Sequence, residues 1–250
     1  MNVKTNQFTV KDRIISFVWQ HLLLVLSLFV MTLGVALCVR SDFGSSVIST
    51  IPFVMTLAGS DGYVPTLTIG QYTYIMNFVL VGLQILVLRR RFEPVQLFQL
   101  LIGFVFGYLL DVNMWLTDGI APVTVAGKAV AQLAGCTVLA IGMSLEVRCG
   151  SVTMPGEGMP AAICMVSGLP FAKAKIIVDI SLVAIACLLM YVYFDRWLWQ
   201  VVGPGTLFAM IYVGAAVRFF DPYMGWFDRV LCYRPGLRRY IYGLARFIRR

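Results

Sequence analysis

The stretch Gly150-Ser151-Val152-Thr153-Met154-Pro155-Gly156-Glu157-Gly158-Met159-Pro160 breaks an otherwise apolar chain with a Gly- and Pro-rich segment that carries an acid. The apolar residues after it run only to about position 168, short of the roughly 20 residues a helix needs to cross a bilayer. Ser41-Asp42-Phe43-Gly44-Ser45-Ser46 opens a similar short stretch, over 43–59. Both read as half-helices that enter the membrane and turn back, because irregular backbone at membrane depth survives only where protein or a polar cavity surrounds it.

Around these two segments the chain is uniformly apolar. Of its 250 residues, 60% are hydrophobic and 13% charged, with a mean hydropathy of +0.84. The charged share is about half that of an ordinary soluble domain, which excludes a soluble globular enzyme, a disordered chain and a nucleic-acid-binding domain. An all-α polytopic membrane protein remains, with spanning runs at 16–39, 70–88, 95–117, 123–146, 173–194 and 197–219. Lys11 and Arg13 precede the first run, which continues to Arg40, longer than the core of a cleavable signal and read as a retained anchor. There is no phosphate-binding Gly loop, no HExxH, no nucleophile elbow and no Cys/His spacing for a metal. Neither enzymatic activity, cofactor nor metal is expected. The six cysteines read as apolar fillers and His21 as an interfacial residue.

The two halves repeat. At an offset of 108, Gly34, Leu37, Val39, Arg40 and Pro52 fall on Gly142, Leu145, Val147, Arg148 and Pro160 without a gap. After a longer loop in the first half the offset becomes 102, and Asn77 meets Asp179, Phe92 meets Phe194 and Gly103 meets Gly205. The organisation is therefore an N-terminal tail (1–15), a first membrane repeat (16–117), a second (123–219) and a basic tail (220–250). The last thirty residues hold seven basic and two acidic groups, which sets the tail in the cytoplasm by the positive-inside rule. With six spanning helices and two re-entrant segments, Arg89, Arg90, Arg91 and Arg148 join both termini on that side, and the repeats are inverted, three helices plus three. The alternative is eight spanning helices in parallel repeats of four, with those arginines outside.

Ionisable groups at membrane depth are costly and mark candidate sites. Glu157 lies between Gly156 and Gly158, whose backbone can bend and approach a ligand, and Pro160 suits the first turn of a half-helix. Lys175 and Asp179 are four apart on one helix face, and Asn77 holds the position matching Asp179 in the other half. Ser45, Ser46 and Thr153 supply hydroxyls, Gly44 and Pro52 shape the first tip, and Arg40 and Arg148 end equivalent helices just before each tip, within reach of an anion, Asp42 or Glu157. Asp111 reads as an interface residue. In the tail, Leu237, Ile241, Leu244 and Ile248 fall on one helical face, a pattern expected for an amphipathic helix on anionic inner-leaflet lipid, held by Arg238, Arg239, Arg246, Arg249 and Arg250.

Gly34-Val35-Ala36-Leu37, Phe43-Gly44-Ser45-Ser46, Thr68-Ile69-Gly70 and Pro155-Gly156-Glu157-Gly158-Met159 resemble motifs of the YczE/YitT-like family of bacterial multipass membrane proteins, over roughly residues 20–220. Glu157 stands in the acid position of that family's proline, any residue, acid, glycine, apolar signature; Val47 and Ile48 stand where a proline is usual after Gly44. The resemblance implies a bacterial inner-membrane location and no settled activity. Two functions are expected from the residues: a secondary transporter or facilitator of a small solute or ion, with its site at mid-membrane between the tips, or a non-transporting scaffold acting through the basic tail. Homo-oligomerisation is left open.

Overall fold

The computed structural model describes residues 10–234 and 236–248. Among them the chain is helical and strand-free: α1 (Val10–Arg40), α2 (Thr50–Ser60), α3 (Ile69–Leu88), α4 (Phe98–Leu116), α5 (Val125–Cys149), α6 (Pro155–Ser167), α7 (Phe171–Phe194), α8 (Pro204–Phe220), α9 (Gly225–Leu231) and α10 (Ala245–Ile248). Six helical stretches are long and apolar enough to cross a membrane, those built on α1, α3, α4, α5, α7 and α8. The protein is an integral membrane protein of all-α architecture. With 11 and 13 residues, α2 and α6 extend only about 16 and 20 Å at the usual rise of ~1.5 Å per residue, against a hydrocarbon core of about 30 Å.

Helix direction follows from side-chain contacts. α1 and α5 run antiparallel in the closest packing of the bundle. A Cβ on Gly34 would strike the Leu139 backbone, and one on Gly142 would stand 2.5 Å from the Met31 backbone. Small residues are what permit such an approach without water to drive it. Cys38 and Cys136 Sγ lie 3.8 Å apart across this seam. Arg40, at the end of α1, reaches Met114 O at 2.8 Å and Asp118 Oδ1 at 2.7 Å, just past α4, so α1 and α4 finish at the same end of the bundle. α3 begins there too. Its Thr68 caps the helix with Gln71 in a reciprocal box, and Asp111 of α4 accepts from Thr68 Oγ1 (2.6 Å) and the Gly70 N–H (2.8 Å).

Residues 41–68 therefore enter and leave by the Arg40 end. At their deepest point Val47, Ile48 and Ile51 pack on Met76 and Leu80 in the middle of α3 and on Val178 and Leu182 in the middle of α7. Residues 150–170 do the same from the other end. Cys149 O accepts from Gln20 Nε2 near the start of α1, and Met165 O accepts from Arg91 just beyond α3. The helical parts of the two segments begin at Val47, where a 3-10 turn leads into α2, and at Pro155; these positions are separated by the same 108 residues as the sequence matches. Packing partners also correspond: α1 with α4 and α5 with α8, α3 with α6 and α7 with α2, α2 with α3 and α6 with α7. The α3–α4 contact has no comparable α7–α8 counterpart.

Three expectations need correction. The sixth run does not become helical at 197: Trp197–Val202 forms a turn closed by Trp197 Nε1 donating to Val202 O, and α8 starts at Pro204, a favoured first-turn residue. Pro160 is not in the first turn of α6 but inside it, because Pro155 already opens that helix. The amphipathic helix expected over 237–248 is limited to Ala245–Ile248. Gly236 and Gly243 take positive φ (96° and 54°), which breaks a continuous helix, and the segment folds back onto the body. Tyr242 N–H donates to Ser151 O (2.6 Å), Tyr240 O accepts from Gln20 Nε2 (2.7 Å), and Leu244 is buried with Leu88, Ala161 and Ala162. Arg249 and Arg250 lie outside the described residues.

Candidate functional site

The second tip brings three of the expected charges together. Lys175 Nζ stands 3.0 Å from Asp179 Oδ1 and 3.6 Å from Glu157 Oε1. Glu157 and Asp179 are 8% and 7% exposed. Glu157 occupies the first turn of α6, where a negative side chain faces the positive end of the helix dipole. Its N–H and that of Gly158 both donate to Met154 O, at 3.1 and 2.8 Å. Asn77 is fully buried against Gly103, and among the described residues neither atom of its amide has a hydrogen-bond partner. Thr153 Oγ1 is likewise buried and unpartnered among them.

The first tip uses its hydroxyls internally. Ser45 donates to Val201 O from both its N–H (3.0 Å) and its Oγ (2.9 Å), and Ser46 Oγ bonds Ser49 Oγ at 2.7 Å. Gly44, at φ 124°, lies where a Cβ would stand 2.8 Å from the Thr206 N, so only glycine fits. The two tips meet through apolar atoms: Ile48 Cδ1 is 2.5 Å from the position of a Cβ on Gly156, within a cluster that includes Met159 and Ile163. Ser45 and Ser46 are thus tied to the first tip, and an apolar layer separates the tips.

Arg40 and Arg148 find partners other than those expected. Arg40 pairs with Asp118, while Lys128 takes Asp42. Arg148 holds Asp221 Oδ1 (2.8 Å) and Asp228 Oδ2 (2.5 Å), and Arg239 also pairs with Asp228. Each of the two matched arginines therefore closes its own half by binding an Asp just past that half's last membrane helix. Two surface grooves, of about 570 and 410 Å³, run along α3 and α4, and neither is lined by Glu157.

Sequence reasoning missed the amides and one acid. Gln84 and Gln99 are fully buried, Gln96 and Glu146 are 2% exposed. A Cβ on Gly158 would stand 2.6 Å from Gln99 Oε1 and 2.8 Å from Gln84 Oε1. Glutamines inside apolar runs carry no charge and escape a search for ionisable groups, yet an amide in hydrocarbon needs partners almost as strictly. Glu146 stands two residues before Arg148 near the end of an apolar run, and no pattern in the sequence singles it out. Among the described residues no three His, Cys, Asp or Glu side chains are grouped to hold a metal ion.

No curated protein and no solved structure matches the chain. The family model that matches carries a description that does not name the YczE/YitT-like family whose motifs the sequence resembles. The chain belongs to DUF6198, a family of unknown function whose model matches residues 18–222.

Proposed function

We propose that the protein is a secondary transporter or facilitator of a small solute or ion, built as an inverted-topology repeat with its site under the second re-entrant tip. The observation that carries this reading is the Glu157–Lys175–Asp179 group, its two acids buried and its lysine half-buried, beside a Gly/Pro-interrupted half-helix that touches its counterpart from the opposite end of the bundle. Discontinuous helices meeting near the midplane of inverted repeats are the usual setting of transporter sites. The matched helix packing and the paired Arg40–Asp118 and Arg148–Asp221 bridges support the duplication. The apolar Ile48–Gly156 contact suits a closed state, with access on one side at a time.

The positive-inside rule puts the Arg148 end, with Arg89, Arg90 and Arg91, in the cytoplasm of a bacterial cell. Exposed Arg238 and Arg246 then face anionic headgroups at the inner leaflet. The hydrogen bonds that fasten Tyr240 and Tyr242 to the body weigh against a tail that acts as a free docking arm. The test is flux in proteoliposomes. A Glu157→Gln protein should lose or uncouple transport, and unchanged uptake would remove Glu157 from the mechanism.

A further inference from the structure

Helices α3 and α4 leave a furrow on the outer side of the bundle, where Leu101, Phe104 and Tyr108 are exposed. The two helices touch backbone to backbone at one crossing: a Cβ on Gly70 would stand 2.0 Å from Gly107 O. Bulkier residues flank that crossing, and a notch of about 410 Å³ opens beside it, with Gln71, Tyr74, Phe104, Tyr108 and Asp111 in its walls. A second hollow, of about 570 Å³, shares Tyr74 and Phe104 with the first and continues over Leu101 to Leu97. The polar groups gather at the Arg40 end, and beyond Phe104 the walls are apolar.

Asp111 is the charged member of these walls. Thr68 Oγ1 donates to its Oδ2 (2.6 Å) and the Gly70 N–H to its Oδ1 (2.8 Å), and each carboxylate oxygen can accept further hydrogen bonds. Asp118 and Asp42, at the same end of the bundle, hold Arg40 and Lys128. Among the described residues Asp111 has no basic partner. A carboxylate on a lipid-facing wall is costly without a counter-charge. Its level is that of the first turn of α3. From there to Leu101 is ten residues of α4, about 15 Å at the helical rise, which matches the hydrocarbon depth of one leaflet, half of about 30 Å.

We propose that the α3–α4 groove holds one phospholipid with a primary ammonium headgroup, of the phosphatidylethanolamine class, from the leaflet on the Arg40 side. Its ammonium donates to the free lone pairs of Asp111, a charge-assisted hydrogen bond that also supplies the missing counter-charge. An acyl chain then lies along Phe104 and Leu101. A choline headgroup carries the charge but has no N–H to donate, and a free ammonium solute leaves the apolar half of the groove unfilled. The assignment goes beyond the transport reading and stands without it, because lipid binding is measured without flux.

The experiment is thermal unfolding of the purified full chain in detergent, titrated with phosphatidylethanolamine, with phosphatidylcholine of the same acyl chains, or with soluble ethanolamine. Both lipids are zwitterionic, so the basic tail does not distinguish them. Wild type should show a saturable rise in Tm with phosphatidylethanolamine, an apparent affinity about tenfold or more weaker for phosphatidylcholine, and no rise with ethanolamine. Asp111→Asn should bring the two lipids to the same affinity, and Phe104→Ala should weaken phosphatidylethanolamine. Equal stabilisation of wild type by the two lipids overturns the proposal, as does a rise with ethanolamine alone or a preference that Asp111→Asn keeps. Should Asp111→Asn fail to fold, the wild-type comparison and Phe104→Ala, at an exposed position, still decide.

Discussion

Ile48 Cδ1 lies 2.5 Å from where a Cβ on Gly156 would stand, so the two short segments, entering from opposite ends, touch side chain to backbone. Adding a methyl group at Gly156 forces that contact apart. Because the obstacle is the far end of a flexible side chain, Gly156→Ala should cost about 1 kcal/mol, the low end of overpacking. Ile48→Ala in the same chain should recover part of that loss, and the coupling is read from a double-mutant cycle in chemical denaturation. Gly34→Ala should cost more, about 3 kcal/mol or above, since its methyl meets the Leu139 backbone, which cannot move without separating α1 from α5.

Lys175 ranks the two acids around it. Asp179 is at 3.0 Å with a hydrogen bond, Glu157 at 3.6 Å. Removing one partner of a fully buried pair costs about 3–5 kcal/mol, but the Lys175 side chain is 31% exposed and keeps its second acid in either variant. Asp179→Asn should therefore destabilise by roughly 1–3 kcal/mol, and Glu157→Gln by less. Melting curves of the two proteins check the order. If Glu157→Gln is the less stable, the pair geometry is not what holds Lys175.

The proposed inverted arrangement gives opposite accessibilities to two loops. In a background without native cysteines, Ser60→Cys should react with an impermeant thiol reagent added to intact cells. Arg90→Cys should react only after the membrane is opened. Labelling of position 90 from outside would restore eight spanning helices.

Much of this was legible in the sequence because a bilayer imposes length. Runs long enough to span were separable from the two that are not, and the 108-residue offset that aligned Arg40 with Arg148 also aligns the helical starts at Val47 and Pro155. Glu157, Lys175 and Asp179 were found because charge at membrane depth is conspicuous. Gln84, Gln99 and Glu146 were not: two are uncharged, and the third sits near a helix end where an acid is unremarkable. The ion-pair partners of Arg40 and Arg148 were also hidden. Asp118 and Asp221 lie more than seventy residues from them, a separation that no local pattern encodes.

Helical spacing of apolar residues between arginines does not make the tail a continuous helix. Leu237, Ile241, Leu244 and Ile248 do recur at helical intervals, but Gly236 and Gly243 adopt left-handed backbone that a continuous helix excludes. Leu244 is instead inserted between α3 and α6, 1% exposed against Leu88, Ala161 and Ala162. Tyr242 N–H meanwhile holds Ser151 on the descending arm of the same re-entrant segment. The tail thus braces both arms of the segment that carries Glu157. Leu244→Ala should destabilise the protein by about 2–4 kcal/mol, as a buried leucine does elsewhere, and Phe247→Ala, at an exposed position of the same segment, by about 0.5 kcal/mol or less. If the two variants melt alike, Leu244 contributes no burial to the body and the tail is only laid against it.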